Sequence, residues 1–149
     1  MLNDLKRFVK ESRGRRSRLW EALVALAIAR VAMAVLPFRR IAAWLGTPGA
    51  ESSATASDED ILTAKEIAWA ISVLGKRVPW DGRCLARALA ANGMLRRRGL
   101  EATVIFGARQ NASSSFDAHA WLRLGPFIVT GEPEHESFNR LTTFARKRP

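Results

Sequence analysis

The chain has 149 residues, 48% of them hydrophobic, a net charge of +10 and one cysteine, which allows one packed domain and excludes an intrachain disulfide. Neither zinc-ligand spacing nor an RNP-like aromatic pattern accompanies the charge, so nucleic acid ranks below an acidic protein or an anionic surface as its partner. Residues 1–46 hold 10 of the 24 Lys/Arg but only 3 of the 14 Asp/Glu, so the basic excess sits in the N-terminal third.

After a basic opening to Arg18, the stretch from Leu19 to Phe38 has the length of a membrane span but contains Glu21 and Arg30. Charges at bilayer depth cost a few kcal/mol each, and Trp20, Leu23, Val24, Ala27, Val31, Val35 and Phe38 recur at helical spacing. A long amphipathic or buried helix is therefore the expected element. No small-residue cleavage site follows it, which argues against a signal peptide. Pro37 should end the helix, and a short basic-apolar helix from Arg39 to Leu45 should stop at Gly46.

Residues 47–57 (TPGAESSATAS) read as a flexible linker, dividing a helical N-terminal region, 1–46, from a domain over 58–149. Ser57 or Asp58 can cap the next helix, in which Ile61, Ala64, Ile67, Ala68 and Ile71 form an apolar stripe ending before Gly75. Residues 76–82 are a loop, and a further helix runs from about Arg83 to Arg98, closed by Gly99. Then Thr103 to Gly107 reads as a strand, 109–115 as a polar loop and Phe116 to Leu124 as an alternating strand. Gly125-Pro126 turns the chain into a last strand, Phe127 to about Thr130. Helices followed by a small antiparallel sheet make an α+β fold.

A free cysteine is most often a small buried hydrophobe. Cys84, however, falls at a helix start, where unpaired backbone N–H groups and the positive end of the helix dipole stabilise a thiolate. The same donors can hold the oxyanion of a tetrahedral intermediate, and the Trp80 indole N–H is a candidate second donor, unless Trp80 simply packs the loop. Of the two histidines, His119 lies in the second strand and can serve as base. His135 sits in the polar run Glu134-His135-Glu136 and reads as a surface residue.

With Gly125-Pro126 as the centre of a tight hairpin, Leu124 faces Phe127 and, counting back, His119 faces Glu132. A carboxylate there could fix the imidazole tautomer, the third role of a triad, although a one-residue slip would reverse every face. Asp117, two residues before His119 and on its face of the strand, is the rival for that orienting or a substrate-positioning role. Either acid could instead be a solvated strand-edge charge.

The runs Trp80-Asp81-Gly82-Arg83-Cys84-Leu85, Leu95-Arg96-Arg97-Arg98-Gly99-Leu100 and Ala118-His119-Ala120-Trp121-Leu122 together resemble the lasso-peptide biosynthesis B2 proteins, bacterial leader peptidases of the transglutaminase-like superfamily. The Leu19 to Gly46 stretch, with Leu36-Pro37-Phe38-Arg39-Arg40, also looks like the helical N-terminal region of that family. The resemblance implies a transglutaminase-like (papain-like) cysteine peptidase core, with Cys84 as nucleophile and His119 as base. The family's third residue is usually an Asp on the strand after His-Ala-Trp, where the nearest acid here is Glu132.

It further implies cleavage between the leader and core of a precursor peptide through an acyl-enzyme, with neither metal nor organic cofactor. The implied partners are the precursor, a separate leader-recognition protein acting in trans, and an ATP-dependent lasso cyclase resembling asparagine synthetase, to which the freed core passes. A helical, apolar N-terminal third leaves no room for a fused recognition domain, and makes Leu19 to Leu45 a candidate docking surface or simply a helix packed on the domain. A free thiol suits the reducing cytoplasm. The alternatives are acyl transfer to an amine by the same Cys and His, a noncatalytic peptide-binding module of the same fold, and a basic protein held at a membrane surface. Membrane contact ranks below a protein partner.

Overall fold

A computed structural model describes residues 2–76, 84–132 and 134–146. Helix α1 spans Leu2–Val35 and turns through Pro37, whose extended backbone (φ −67°, ψ 149°) precedes α2, Phe38–Leu45. Gly46 ends α2 at φ +126°, where a Cβ would collide with the Ala145 carbonyl, so only glycine fits. A two-residue strand β1, Thr47–Pro48, leads toward α3, Asp58–Gly75. Ser57 caps α3, its side chain accepting from Asp60 N–H at 3.1 Å, and Asp58, Glu59 and Asp60 complement the positive helix end.

Helix α4, Cys84–Arg96, closes with Gly99 at φ +72° and Leu100 N–H donating to Leu95 O at 3.1 Å, the expected left-handed termination. Strands β2 (Thr103–Gln110), β3 (Phe116–Leu124) and β4 (Phe127–Thr130) follow, then a 3-10 turn, Glu134–Ser137, and β5, Asn139–Ala145. The sheet order is β1-β5-β2-β3-β4, with every described pairing antiparallel.

Strand alternation divides the molecule. Val104, Leu122, Leu124, Val129 and Phe144 enter one core with Ala22 and Leu26 of α1, Ile67 and Ile71 of α3, and Leu89 and Leu95 of α4. Each Val, Leu, Ile or Phe side chain among them contributes about 1.5–3 kcal/mol by leaving water. Asp117, His119 and Trp121 alternate onto the opposite face of β3. The expected α+β architecture is therefore present, and among the described residues no helix is long and apolar enough to cross a membrane.

Three expectations need correcting. Trp20, Val24, Val31, Val35 and Phe38 do not form the buried face of the first helix: they are 52–69% exposed, and α1 packs through Ala22, Leu26 and Ala29 instead. Small residues let its backbone approach α3 and α4, a choice that spacing cannot reveal in a helix apolar nearly all round. Nor are residues 47–57 a free linker between separate units. Ser52 N–H and Oγ bond Thr103 Oγ1 (2.9 and 2.7 Å), and Thr143 Oγ1 donates to Ala50 O at 2.8 Å, so the segment is strapped to the sheet. Finally, β2 continues to Gln110, into the expected polar loop.

A charged cluster fastens α1 to its neighbours. Arg98 donates twice to the Glu21 carboxylate (2.8 and 2.6 Å), and Arg18 bridges to Glu66 on α3 at 2.7 Å. The Arg98 hydrogen bond chiefly holds the Glu21 carboxyl below its ordinary value of 4.5. A carboxyl depressed in the folded state stabilises the protein above its unfolded pKa, and that stability is lost as pH falls through the lower folded value. Glu21→Gln should therefore cost about 1–3 kcal/mol at neutral pH, and thermal melts should show the gap to wild type closing below about pH 4.5.

Candidate active site

Cys84 is the first described residue of α4. The thiol is half-buried. Strand β4 pairs with β3 only as far as Leu122↔Thr130, which leaves the β4-side edge of β3 uncovered around Ala120. There Ala120 N–H donates to Cys84 Sγ at 3.4 Å. The contact brings the sulfur to the backbone of the residue that follows His119.

The His119 imidazole is held on two sides. It stacks on Phe138 (ring centroids 4.9 Å apart, planes at 26°) and on Trp121 (5.8 Å, 27°). Its Nε2 is 3.2 Å from Gly131 O, which also accepts His135 N–H at 3.0 Å. Trp121 is 3% exposed and fits because Gly107, the partner of His119 on β2, has no side chain: a Cβ there would lie 2.7 Å from the indole. Among the described residues, no three His, Cys, Asp or Glu side chains form a metal-holding group.

A half-buried thiol on α4 that accepts from the backbone N–H following a histidine suits acyl transfer through a thioester. Comparison with known families agrees: a model described as the transglutaminase-like superfamily matches residues 22–143. The chain belongs to the transglutaminase-like superfamily. No curated protein and no solved structure matches it. The superfamily includes cysteine peptidases, and its fold suits protease or acyltransferase chemistry. The matched span runs from α1 to β5, so the N-terminal helices belong to the transglutaminase-like unit rather than to an appendage, in keeping with their shared core.

The candidate acids are placed differently from the hairpin count. Leu124 does face Phe127 and Arg123 faces Ile128, but the register then shifts and Leu122 faces Thr130. The irregularity admits Val129 as an extra residue, and the pairing ends before Gly131, which turns the chain at φ +93°. Glu132 is consequently not opposite His119 but exposed beyond the strand, as expected when a bulge slips the register by one. Asp117 lies 3.6 Å from Arg109 Nε and accepts from Asn111 Nδ2 at 3.2 Å, so its carboxylate is engaged away from the imidazole. Trp80 lies outside the described residues.

His135 is not the solvated residue its acidic neighbours suggest. It is half-buried against Trp121 (6.0 Å between centroids), and its Nδ1 is shielded from solvent without a partner. Phe138, Gly131 and Arg109 are the site residues that sequence reasoning missed. Arg109 lies 4.4 Å over the Phe138 ring and donates to Ser137 Oγ at 2.7 Å, clamping the segment that carries Phe138. A glycine immediately after a strand was the one available signal, for Gly131.

Proposed function

We propose that this protein is a cysteine endopeptidase that removes the leader peptide from a lasso-peptide precursor, with Cys84 as nucleophile and His119 as base. The observation that carries the reading is the seating of Cys84 Sγ of α4 3.4 Å from the backbone nitrogen that follows His119. Membership of the transglutaminase-like superfamily supports the chemistry, and the runs around Cys84 and His119 support the substrate.

In this scheme His119 takes the thiol proton as Sγ attacks the carbonyl carbon joining leader to core. Backbone N–H groups at the start of α4 receive the developing oxyanion, with the Trp80 indole as a further donor. Collapse of the tetrahedral intermediate breaks the C–N bond, and His119 returns its proton to the leaving amine. A thioester remains on Cys84. His119 then draws a proton from water, whose oxygen attacks the thioester, releasing the new carboxylate and restoring the thiol.

The precursor is presented by a separate leader-recognition protein, and the freed core passes to an ATP-dependent cyclase. Support for docking comes from the outward row Trp20, Val24, Ile28, Val31 and Val35, 53–69% exposed. It borders a groove of about 470 Å³ between α1, α2 and α4, whose charged lining is Arg40, Arg97 and Glu21. A continuous apolar row beside a net basic lining suits an amphipathic, acidic protein surface. Ile28→Glu should weaken binding of the recognition protein by about tenfold or more in calorimetric titration, with an unchanged melting temperature. Flotation with anionic vesicles that Ile28→Glu abolishes, without any protein binding, would assign the row to a membrane instead.

The test of the activity is incubation of the full chain with the precursor, with and without the recognition protein, followed by mass spectrometry. Cleavage at a single leader–core bond is the expected result. Intact precursor under every condition, with the protein folded, would overturn the peptidase reading in favour of a peptide-binding module.

A further inference from the structure

We propose that the Gly131 main-chain carbonyl, rather than a carboxylate, is the group that orients His119; this rests on the Cys84–His119 reading and names the missing third member of that pair. A carbonyl oxygen can only accept a hydrogen bond. With Gly131 O 3.2 Å from Nε2, the neutral ring carries its proton on Nε2 and leaves the Nδ1 lone pair for the thiol. Fixing the tautomer is the essential service of a third residue, and a neutral amide oxygen performs it in Cys-His-Asn peptidases.

The surroundings hold that oxygen in place. His135 N–H donates to it at 3.0 Å, starting the 3-10 turn that also brings Phe138 onto the imidazole. Gly131 sits at φ +93° and so close to the ring that an added Cβ would be 3.0 Å from His119 Nε2 and would strike Trp121 Cβ. The absence of a side chain is thus a condition for the contact. Both candidate acids are otherwise placed, Glu132 in solvent and Asp117 on Arg109 and Asn111. Gly131 is a positioning residue, acting through His119.

The direct test is nitrogen-15 NMR of the histidines in full-length Cys84→Ala, which has no thiol to pass its proton to the ring, at about pH 8. A protonated Nε2 with an unprotonated Nδ1 on His119 is expected. The opposite tautomer would overturn the proposal, because a carbonyl cannot donate to Nε2.

The second test uses iodoacetamide, which can alkylate only one thiol in this chain. Glu132→Gln and Asp117→Asn should react within about twofold of wild type, whereas Gly131→Ala should slow about tenfold. A tenfold loss in either acid variant would transfer the role to that carboxylate and sink the proposal. His119→Ala reports separately on the underlying reading: if it alkylates as fast as wild type the Cys–His pair fails, while the tautomer still shows whether Gly131 orients the ring.

Discussion

Cys84→Ala is expected to abolish precursor cleavage, a loss of at least about a thousandfold, while leaving the melting temperature within a few degrees. The two halves of that expectation come from different features. The sulfur is the only atom in the chain able to form the thioester, so water and the remaining donors alone must account for any residual rate. Its removal costs little stability, because Cys84 is half-buried and lies outside the core, which α4 reaches through Ala86, Leu89, Met94 and Leu95. The forfeited contact is one long N–H to sulfur bond, worth about 1 kcal/mol or less. Mass spectrometry of the products and a thermal melt check both halves. A variant that retains cleavage would remove Cys84 from the mechanism outright. A wild-type product carrying an added amine in place of water would turn the same residues toward acyl transfer.

The helices were the more legible half of the molecule. Ser57, Gly46 and Gly99 act through their own backbone neighbours, and so the bounds of α2, α3 and α4 follow closely from local sequence. The orientation of α1 did not, because in Leu19 to Phe38 both faces are apolar and only the tertiary partners choose Ala22, Leu26 and Ala29 for burial. Strand β5 escaped notice since its first half, Asn139 to Leu141, is exposed and carries Arg140, and its place between β1 and β2 depends on non-local pairing. At the site, the placement of Cys84 on a helix and of His119 on an alternating strand is readable. The surroundings of His119 are not. The register shift after Arg123 and the turn at Gly131 redirect the chain by one residue, enough to replace an expected carboxylate by a backbone oxygen.

Trp121→Ala should be the most damaging substitution outside the Cys–His pair, costing about 3–5 kcal/mol of stability and, in the fraction still folded, most of the cleavage rate. The indole fills the space that Gly107 leaves open and packs near the rings of His119 and His135, while Trp121 Cβ borders Gly131. Its loss would empty a buried volume and free the imidazole on one side, leaving Phe138 and the Gly131 carbonyl to hold it. Trp121→Phe separates the two effects: a smaller ring still stacks on His119 while part of the cavity remains. It should recover at least about half the lost stability and return cleavage to within about tenfold of wild type. Denaturant titration beside the cleavage assay measures both. Stability restored by Phe without any return of activity would mean that the indole serves the site by something other than packing. Full activity in Trp121→Ala would mean that Phe138 and the hydrogen bond to Gly131 suffice to hold the imidazole.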